Sequence, residues 1–274
     1  MSGVSDQQGP LFRLTATMAI VGPGLAIAAT GVGAGDLVAA AAAGSRYGLA
    51  VAWAALAGAA LKFILNEGLA RWQLATGTTL LEGWSRHLGR PVQYLFLAYL
   101  IVWSFVVGGA LISACGMAAH SLVPACSVGT WGIVHSLAAA ALVLASGYRT
   151  FENLMKWFIA VMFVALVGSA LWAAPYDVSG GALASAAVPR GGIGYLLGVI
   201  GGVGGSVTLL SYGYWIRERR WEGLERLRTV RTDLGVAYLL TALFGMAVIV
   251  LAARSLHARG VVVAGNEAVT HMAA

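Results

Sequence analysis

Seven long apolar runs dominate this chain of 274 residues and restrict what it can fold into. Each run has roughly 20 or more residues with few charges, which is the length that an α-helix needs to cross the hydrocarbon core of a bilayer. The composition agrees, since 59% of the residues are apolar and only 10% are charged. We therefore predict an all-α integral membrane protein. The predicted spans are residues 14–44, 47–66, 92–118, 128–147, 153–174, 191–215 and 233–253.

The basic residues indicate how these spans are oriented. Of the 17 lysines and arginines, an amino terminus in the cytoplasm places twelve inside and only four outside, namely Arg46, Arg190, Arg254 and Arg259. Lys62 falls within the second span and is expected to extend its ammonium group toward the cytoplasmic interface. This distribution predicts a multi-pass protein of a bacterial inner membrane with its N-terminus in the cytoplasm. The net charge of +6 does not indicate nucleic acid, because no basic soluble face with aromatic platforms accompanies it.

Two of the spans carry glycine clusters that predict broken helices. The first span has about 31 residues and would be roughly 46 Å long as one straight helix, against a hydrocarbon core near 30 Å. Glycine weakens a helix and lets the backbone open, so both spans are expected to unwind at their glycines. The predicted break residues are Gly31, Gly33 and Gly35 in the first span, and Gly201, Gly202, Gly204 and Gly205 in the sixth.

The two broken spans lie five spans apart, which indicates an inverted repeat. An odd number of spans makes the second copy enter the membrane from the opposite side, and paired interrupted spans are typical of a central transporter site. We therefore divide the chain into a cytoplasmic segment (1–13), a first five-helix repeat (14–174) and a partial second repeat with an outer tail (175–274). Because a five-plus-five arrangement needs ten spans, we expect the natural chain to continue or to be degenerate.

Asp36 is the only charged residue between Arg13 and Arg46, and it follows the glycines of "GVGAGDL". A carboxylate at the centre of a span costs about 2.5–3.5 kcal/mol on insertion scales, so it is expected to be functional or paired. A cation site is the favoured interpretation. In the structural alternative, Gly31 and Gly35 form a helix-packing GxxxG motif, and Asp36 caps the helix after the break. Both interpretations can hold together, because a capping carboxylate has lone pairs to spare.

The stretch "GPGLAIAATGVGAGDLVAAAAAGSRYG", residues 22–48, resembles the first span of the Nramp divalent-metal transporters, which carry a leading GPG, a DPGN motif at the helix break and an AGxxYG exit. The resemblance continues in "LNEGLARWQLATG", where Asn66 stands at a position that usually holds glutamine, and again over residues 198–216. It implies a LeuT-type fold of ten or more spans, in which the first and sixth helices unwind around the metal.

The resemblance also implies a ligand set that departs from the family pattern. In the family, the aspartate and asparagine of DPGN and the methionine of an MPH motif in the sixth helix hold the ion. Here the DPGN positions read Gly33-Ala34-Gly35-Asp36, and the MPH positions read Thr208-Leu209-Leu210. The sulfur ligand is therefore lost and the carboxylate has moved. The implied ligands are the Asp36 carboxylate, the Thr208 hydroxyl and the backbone carbonyls of Thr30 and Gly205.

These ligands are all oxygens, which suit hard cations such as Mg²⁺, Ca²⁺ or Mn²⁺ better than soft ones. The proton route of the family uses acidic residues in the third span, whereas "VQYLFLAYLIVWSFVVGGALISACGMAA" contains none. A branch of the family that carries magnesium-like ions without proton coupling shares both departures. The expected function is therefore transport of a hard divalent cation, without enzymatic activity or a resident cofactor.

Two alternatives stay open at this point. A symporter of the same fold for a small organic solute would use Asp36 to hold an amine or Na⁺. A truncated membrane scaffold that transports nothing is the other alternative. The sequence leaves the ion, the direction of transport and the oligomeric state undetermined.

Outside the spans, "TTLLEGWSRHLGRP" predicts a short helix along the inner membrane surface. Thr79 and Glu82 have the spacing of a capping box at its start. One face of this helix is apolar, formed by Leu80, Leu81, Trp84 and Leu88.

Two cysteines flank the short outer loop after the third span. A disulfide between Cys115 and Cys126 would require an oxidising periplasm. Two free thiols are the favoured interpretation.

Overall fold

Helix is the only regular backbone structure in the part of the chain that the computed structural model describes, which comprises residues 24, 28, 33–146, 148–173, 188–202 and 206–263. Helices satisfy their backbone hydrogen bonds within one segment, as the hydrocarbon core of a membrane requires. The α-helices of this part are α1 (Ala34–Tyr47), α2 (Trp53–Thr76), α3 (Leu80–His87), α4 (Gly89–Leu122), α5 (Val128–Ala145), α6 (Tyr148–Ala173), α7 (Ile193–Gly202), α8 (Ser206–Glu218) and α9 (Leu227–Ser255). Short 3₁₀ turns occupy Gly48–Val51, Leu224–Arg226 and His257–Arg259.

Among the described residues, the helices α4, α5, α6 and α9 each contain a stretch long and apolar enough to cross a membrane. They coincide with the predicted spans 92–118, 128–147, 153–174 and 233–253. The helices α1 and α2 pass the same test together, as a pair bent by 104°. The first and sixth predicted spans include undescribed residues, so the number of seven spans stays a prediction.

Helix α2 extends ten residues beyond the predicted end of the second span. The prediction stopped at residue 66 because Glu67 and Arg71 follow. In the structure, Arg71 Nη2 pairs with Glu67 Oε2 at 2.6 Å, one helical turn away. Such i,i+4 pairs stabilise a helix, so the two charges continue α2 rather than ending it.

Helix α9 is the central helix and packs on α1, α2 and α6. The apolar core between α1, α2, α7 and α9 surrounds the fully buried Phe244 and Val248. At Gly44 the backbones of α1 and α9 come close, since a Cβ atom there would lie 2.9 Å from the carbonyl oxygen of Ile249. Small residues at helix contacts are typical of membrane proteins, whose helices associate by close packing rather than by exclusion of water.

Helices α4, α5 and α6 leave much of their apolar surface exposed. Helices α4 and α5 pack closely on each other, because Gly116 lies against the backbone of Val128. Away from this contact, Leu144 is 87% exposed and Trp172 is 93% exposed. Lipid chains are as apolar as these side chains, so a bilayer covers such surfaces without penalty.

The predicted short helix after the second span is confirmed as α3, whereas its location along the membrane surface stays a prediction. The Thr79 hydroxyl accepts a hydrogen bond from the Glu82 N–H at 3.3 Å, and Glu82 Oε2 accepts one from the Thr79 N–H at 2.8 Å, so the capping box is complete. The apolar face of α3 turns toward its neighbours: Trp84 makes an edge contact with Phe96 of α4, with ring centroids 5.7 Å apart.

The preference for free thiols is also confirmed. Cys115 and Cys126 are both free and exposed. The loop between them is held instead by the carbonyl oxygen of Cys126, which lies 2.7 Å from Nδ1 of His120.

Candidate functional site

Asp36 lies in the first turn of α1. The residue before this helix, Gly33, has an extended backbone with φ of −91° and ψ of 176° and serves as its N-cap. The N–H of Gly33 hydrogen-bonds to the Asp36 carboxylate. A negative charge at this position also interacts favourably with the helix dipole. The capping interaction anticipated for Asp36 is therefore present, and it leaves carboxylate lone pairs for another partner.

The Asp36 carboxylate faces Gly202, the last residue of α7. A Cβ atom at Gly202 would lie 2.9 Å from Asp36 Oδ1 and 4.0 Å from the Cβ of Ala39. Glycine at position 202 thus lets the backbone approach the carboxylate directly. Residues of the two glycine-rich segments, which are far apart in the sequence, therefore meet at this acid.

Lys62 supplies a positive charge near this site. It lies near the middle of α2 and is only 8% exposed, and its ammonium group interacts electrostatically with Asp36. Lys62 is thus packed within the protein, and its extension toward the cytoplasmic interface stays a prediction.

Of the four implied ligand groups, only the Asp36 carboxylate belongs to the part of the chain that the structure describes. Thr30 and Gly205 lie outside the described residues, as do the predicted break residues Gly31 and Gly204. Thr208 lies in α8, but its side chain is outside the description. In the described ranges, no group of three or more His, Cys, Asp or Glu side chains could hold a metal ion. A cation beside Asp36 would therefore take its remaining ligands from neutral oxygens or water.

The predicted break residues that are described lie at helix ends. Gly33 precedes α1, and Gly201 and Gly202 form the last residues of α7, while α8 resumes at Ser206. Gly35 lies in the first turn of α1, and no described atom is within 4 Å of the position that its Cβ would take. The described residues therefore give Gly35 no helix-packing partner, and the alternative GxxxG contact through Gly31 falls outside the described part.

A further carboxylate, that of Asp233 in α9, was missed by the sequence predictions. It is fully buried, and its Oδ2 accepts hydrogen bonds from the N–H of Gly24 at 2.7 Å and from the Tyr212 hydroxyl at 2.8 Å. The prediction treated residue 233 only as the boundary of the seventh span. The available signal was its spacing: Asp233 falls on the same helical face as the buried Val230 and Ala237.

Two further polar groups join α2 to α9. Asn66, the residue at the family's glutamine position, is fully buried and donates from Nδ2 to the Tyr238 hydroxyl at 3.2 Å. The next residue of α2, Glu67, accepts hydrogen bonds from both Arg71 and Arg231. These contacts fix α2 against α9 on the side of the molecule where Asp233 lies.

The helices of the described residues, four of them long and apolar enough to cross a membrane, define a multi-pass membrane protein. Comparison with known families is specific: the natural resistance-associated macrophage protein-like family, Nramp, matches residues 24–273. The chain therefore belongs to the Nramp family. No curated protein matches it.

Membership of this family establishes the general function. Nramp proteins transport divalent metal ions across membranes and are not enzymes, and their fold is of the LeuT type. The resemblance drawn from residues 22–77 and 198–216 is thus confirmed at the level of the family. The ion and its coupling depend on the residues of the site itself.

Proposed function

We propose that this protein carries a hard divalent cation, Mg²⁺ or Mn²⁺, across a bacterial inner membrane, with its N-terminus in the cytoplasm and without proton symport. The observation that carries the proposal is the contact between the Asp36 carboxylate and Gly202. It brings the only acid of α1 to the end of α7, where the last backbone carbonyls of that helix have no intrahelical partners and would be available to an ion.

The ligand chemistry supports a hard ion. The Asp36 carboxylate, the Thr208 hydroxyl and the carbonyls of Thr30 and Gly205 would offer only oxygen, and oxygen donors suit Mg²⁺ and Mn²⁺. No sulfur ligand is available at the position that holds methionine in the family pattern, since residue 208 is threonine. One carboxylate is too little charge for a bare dication, so the ion keeps several of its waters, as Mg²⁺ prefers.

The charge balance of the site supports weak binding of an abundant ion. Lys62 offsets part of the negative charge of Asp36. A dication that enters therefore meets a site with little net negative charge, and Coulomb attraction contributes less to its affinity. Weak affinity suits an ion that is present at millimolar concentration better than a trace metal.

The absence of an acid from α4 supports uncoupled transport. Between Gly89 and Leu122, this helix contains no aspartate or glutamate. A chain of acidic side chains is the usual proton relay within a membrane. Without one in the third span, metal entry has no proton path at the family's position.

Flux into liposomes tests the proposal. The purified protein is reconstituted with a metal-sensitive dye and a pH-sensitive dye inside the vesicles, and Mg²⁺, Mn²⁺ or Cd²⁺ is added outside. We expect saturable entry of Mg²⁺ and Mn²⁺ with constant internal pH, and entry of Mn²⁺ that excess Mg²⁺ inhibits. Acidification that depends on metal, or Cd²⁺ entry that Mg²⁺ cannot inhibit, would overturn it. Uptake of an amine or Na⁺ in place of metal would favour the symporter alternative.

A further inference from the structure

We propose that Asp233 is a positioning residue that clamps the inner parts of both broken spans to α9 and so keeps the cation site closed toward the cytoplasm. This inference rests on the proposed transport function and orientation. Three segments converge on one carboxylate: the first span through Gly24, the sixth through Tyr212, and α9 through Asp233 itself. These residues are separated by up to 209 positions in the chain.

The contact with Gly24 requires glycine. A Cβ atom at position 24 would collide with the carbonyl oxygen of Asp233 and would lie 2.7 Å from Asp233 Oδ1. The backbone N–H of Gly24 therefore reaches the carboxylate only because this residue has no side chain. The second glycine of the "GPG" segment, Gly24, thus acquires a specific role, which is close contact with α9.

Because Asp233 is buried, the loss of its hydrogen bonds to Gly24 and Tyr212 is unfavourable. Asp233 and Tyr212 are both fully buried, and Leu234 and Ala237 beside them belong to the same apolar cluster. A buried carboxylate that loses a hydrogen-bond donor is left desolvated without a compensating interaction, which is unfavourable. Gly24 or Tyr212 therefore cannot move away gradually, and separation becomes favourable only when water reaches Asp233.

The clamp lies between the cation site and the cytoplasm. In the proposed orientation, the first span runs outward from Gly24 to Asp36, and α8 runs inward from the break toward Tyr212. Helix α9 begins at the inner side, where Arg231 pairs with Glu67 at 2.8 Å. Release of Asp233 thus frees the two segments that separate the site from the inner solution, whereas the outer contact of α1 with α9 at Gly44 is untouched.

Cysteine labelling tests the clamp without any transport measurement. In a background with Cys115→Ser and Cys126→Ser, Ala28→Cys reports on the first span one turn beyond Gly24, and Ala43→Cys reports on the outer half of α1. Both alanines are fully buried. Inside-out membrane vesicles are treated with a maleimide that does not cross membranes. With Asp233→Asn, we expect the labelling rate of Ala28→Cys to rise at least fivefold and that of Ala43→Cys to stay unchanged.

Tyr212→Phe provides a second variant in case Asp233→Asn fails to fold. It keeps the ring and removes only the hydroxyl that donates to Asp233, so we expect a smaller rise, about twofold to threefold, at Ala28→Cys alone. Equal increases at both cysteines would show general loosening and overturn the clamp, and so would unchanged labelling in both variants. A failed metal flux together with selective labelling would instead reject only the proposed function.

Discussion

The carboxylate of Asp36 lies against the backbone of Gly202, so closely that a methyl group at position 202 would be 2.9 Å from Oδ1. This contact links the start of α1 to the end of α7, two helix ends that the glycine pattern predicts to be the broken parts of two repeats. The Asp36 carboxylate therefore lies beside the backbone of Gly202, a residue that has no side chain. In the proposed function, a cation would approach the carboxylate and nearby carbonyl groups together.

Gly202→Ala is expected to impair cation binding without preventing folding. The added methyl group must push the Asp36 carboxylate away, and ligand displacement of this kind weakens binding. We expect at least a fivefold loss of Mg²⁺ or Mn²⁺ affinity in isothermal titration calorimetry. Gly198→Ala is the matched control, because no described atom lies within 4 Å of a Cβ at position 198. Equal affinities of the two variants would contradict the assigned position of the site.

Asp36→Asn is expected to reduce cation affinity more than tenfold, or by more than 1.4 kcal/mol. The substitution keeps the volume and an oxygen that can still cap α1, but it removes the negative charge that a dication requires. Titration with Mg²⁺ and with Mn²⁺ measures the change, and circular dichroism verifies that the helices persist. Wild-type affinity in this variant would leave Asp36 with its capping role alone.

Lys62→Met is expected to increase cation affinity. Removal of the ammonium group leaves the negative charge of Asp36 uncompensated, so a dication should bind roughly threefold more tightly or better. Lys62→Arg, which retains the positive charge, is the control and should show no gain. A loss of affinity in Lys62→Met would indicate that Lys62 stabilises the site rather than competing with the ion.

Local sequence patterns predicted the local structure of this protein well. The capping box of Thr79 and Glu82 and the apolar runs of α4, α5 and α6 depend on neighbours within a few turns, so the sequence alone contains the information. The contact of Asp36 with Gly202 joins residues far apart in the chain, so no local pattern specifies it. That the two glycine-rich segments are equivalent breaks of an inverted repeat stays a prediction.

The functional residues that were missed depend on contacts between distant segments. The role of Asp233 is set by Gly24 and Tyr212, and the sequence gives no direct sign that these three residues meet. The interaction of Lys62 with Asp36 likewise joins separate helices, and no local pattern specifies it. The remaining implied ligands, Thr30, Gly205 and the Thr208 hydroxyl, stay predictions from the family resemblance.

The ion pair between Glu82 of α3 and Arg217 of α8 predicts a specific dependence of stability on pH. Arg217 Nη2 lies 2.7 Å from Glu82 Oε2, and this hydrogen bond, with that from the Thr79 N–H, lowers the pKa of Glu82 from 4.5 to about 2. A carboxyl whose pKa is lower in the folded state stabilises the fold fully above its unfolded pKa. The contribution of Glu82 is therefore expected above about pH 4.5 and should vanish as the pH falls through 2.

Glu82→Gln isolates this charge effect, because glutamine also completes a capping box and so preserves the start of α3. Thermal unfolding in detergent is measured for wild type and variant between pH 2 and pH 6. We expect the wild type to melt at a slightly higher temperature at pH 6, and the difference to shrink below pH 4.5 and disappear near pH 2. Both side chains are partly exposed, at 48% for Arg217 and 40% for Glu82, so the difference should be small and should decrease in high salt. A melting difference that persists unchanged at pH 2 would show that Glu82 stabilises α3 through its cap and not through Arg217.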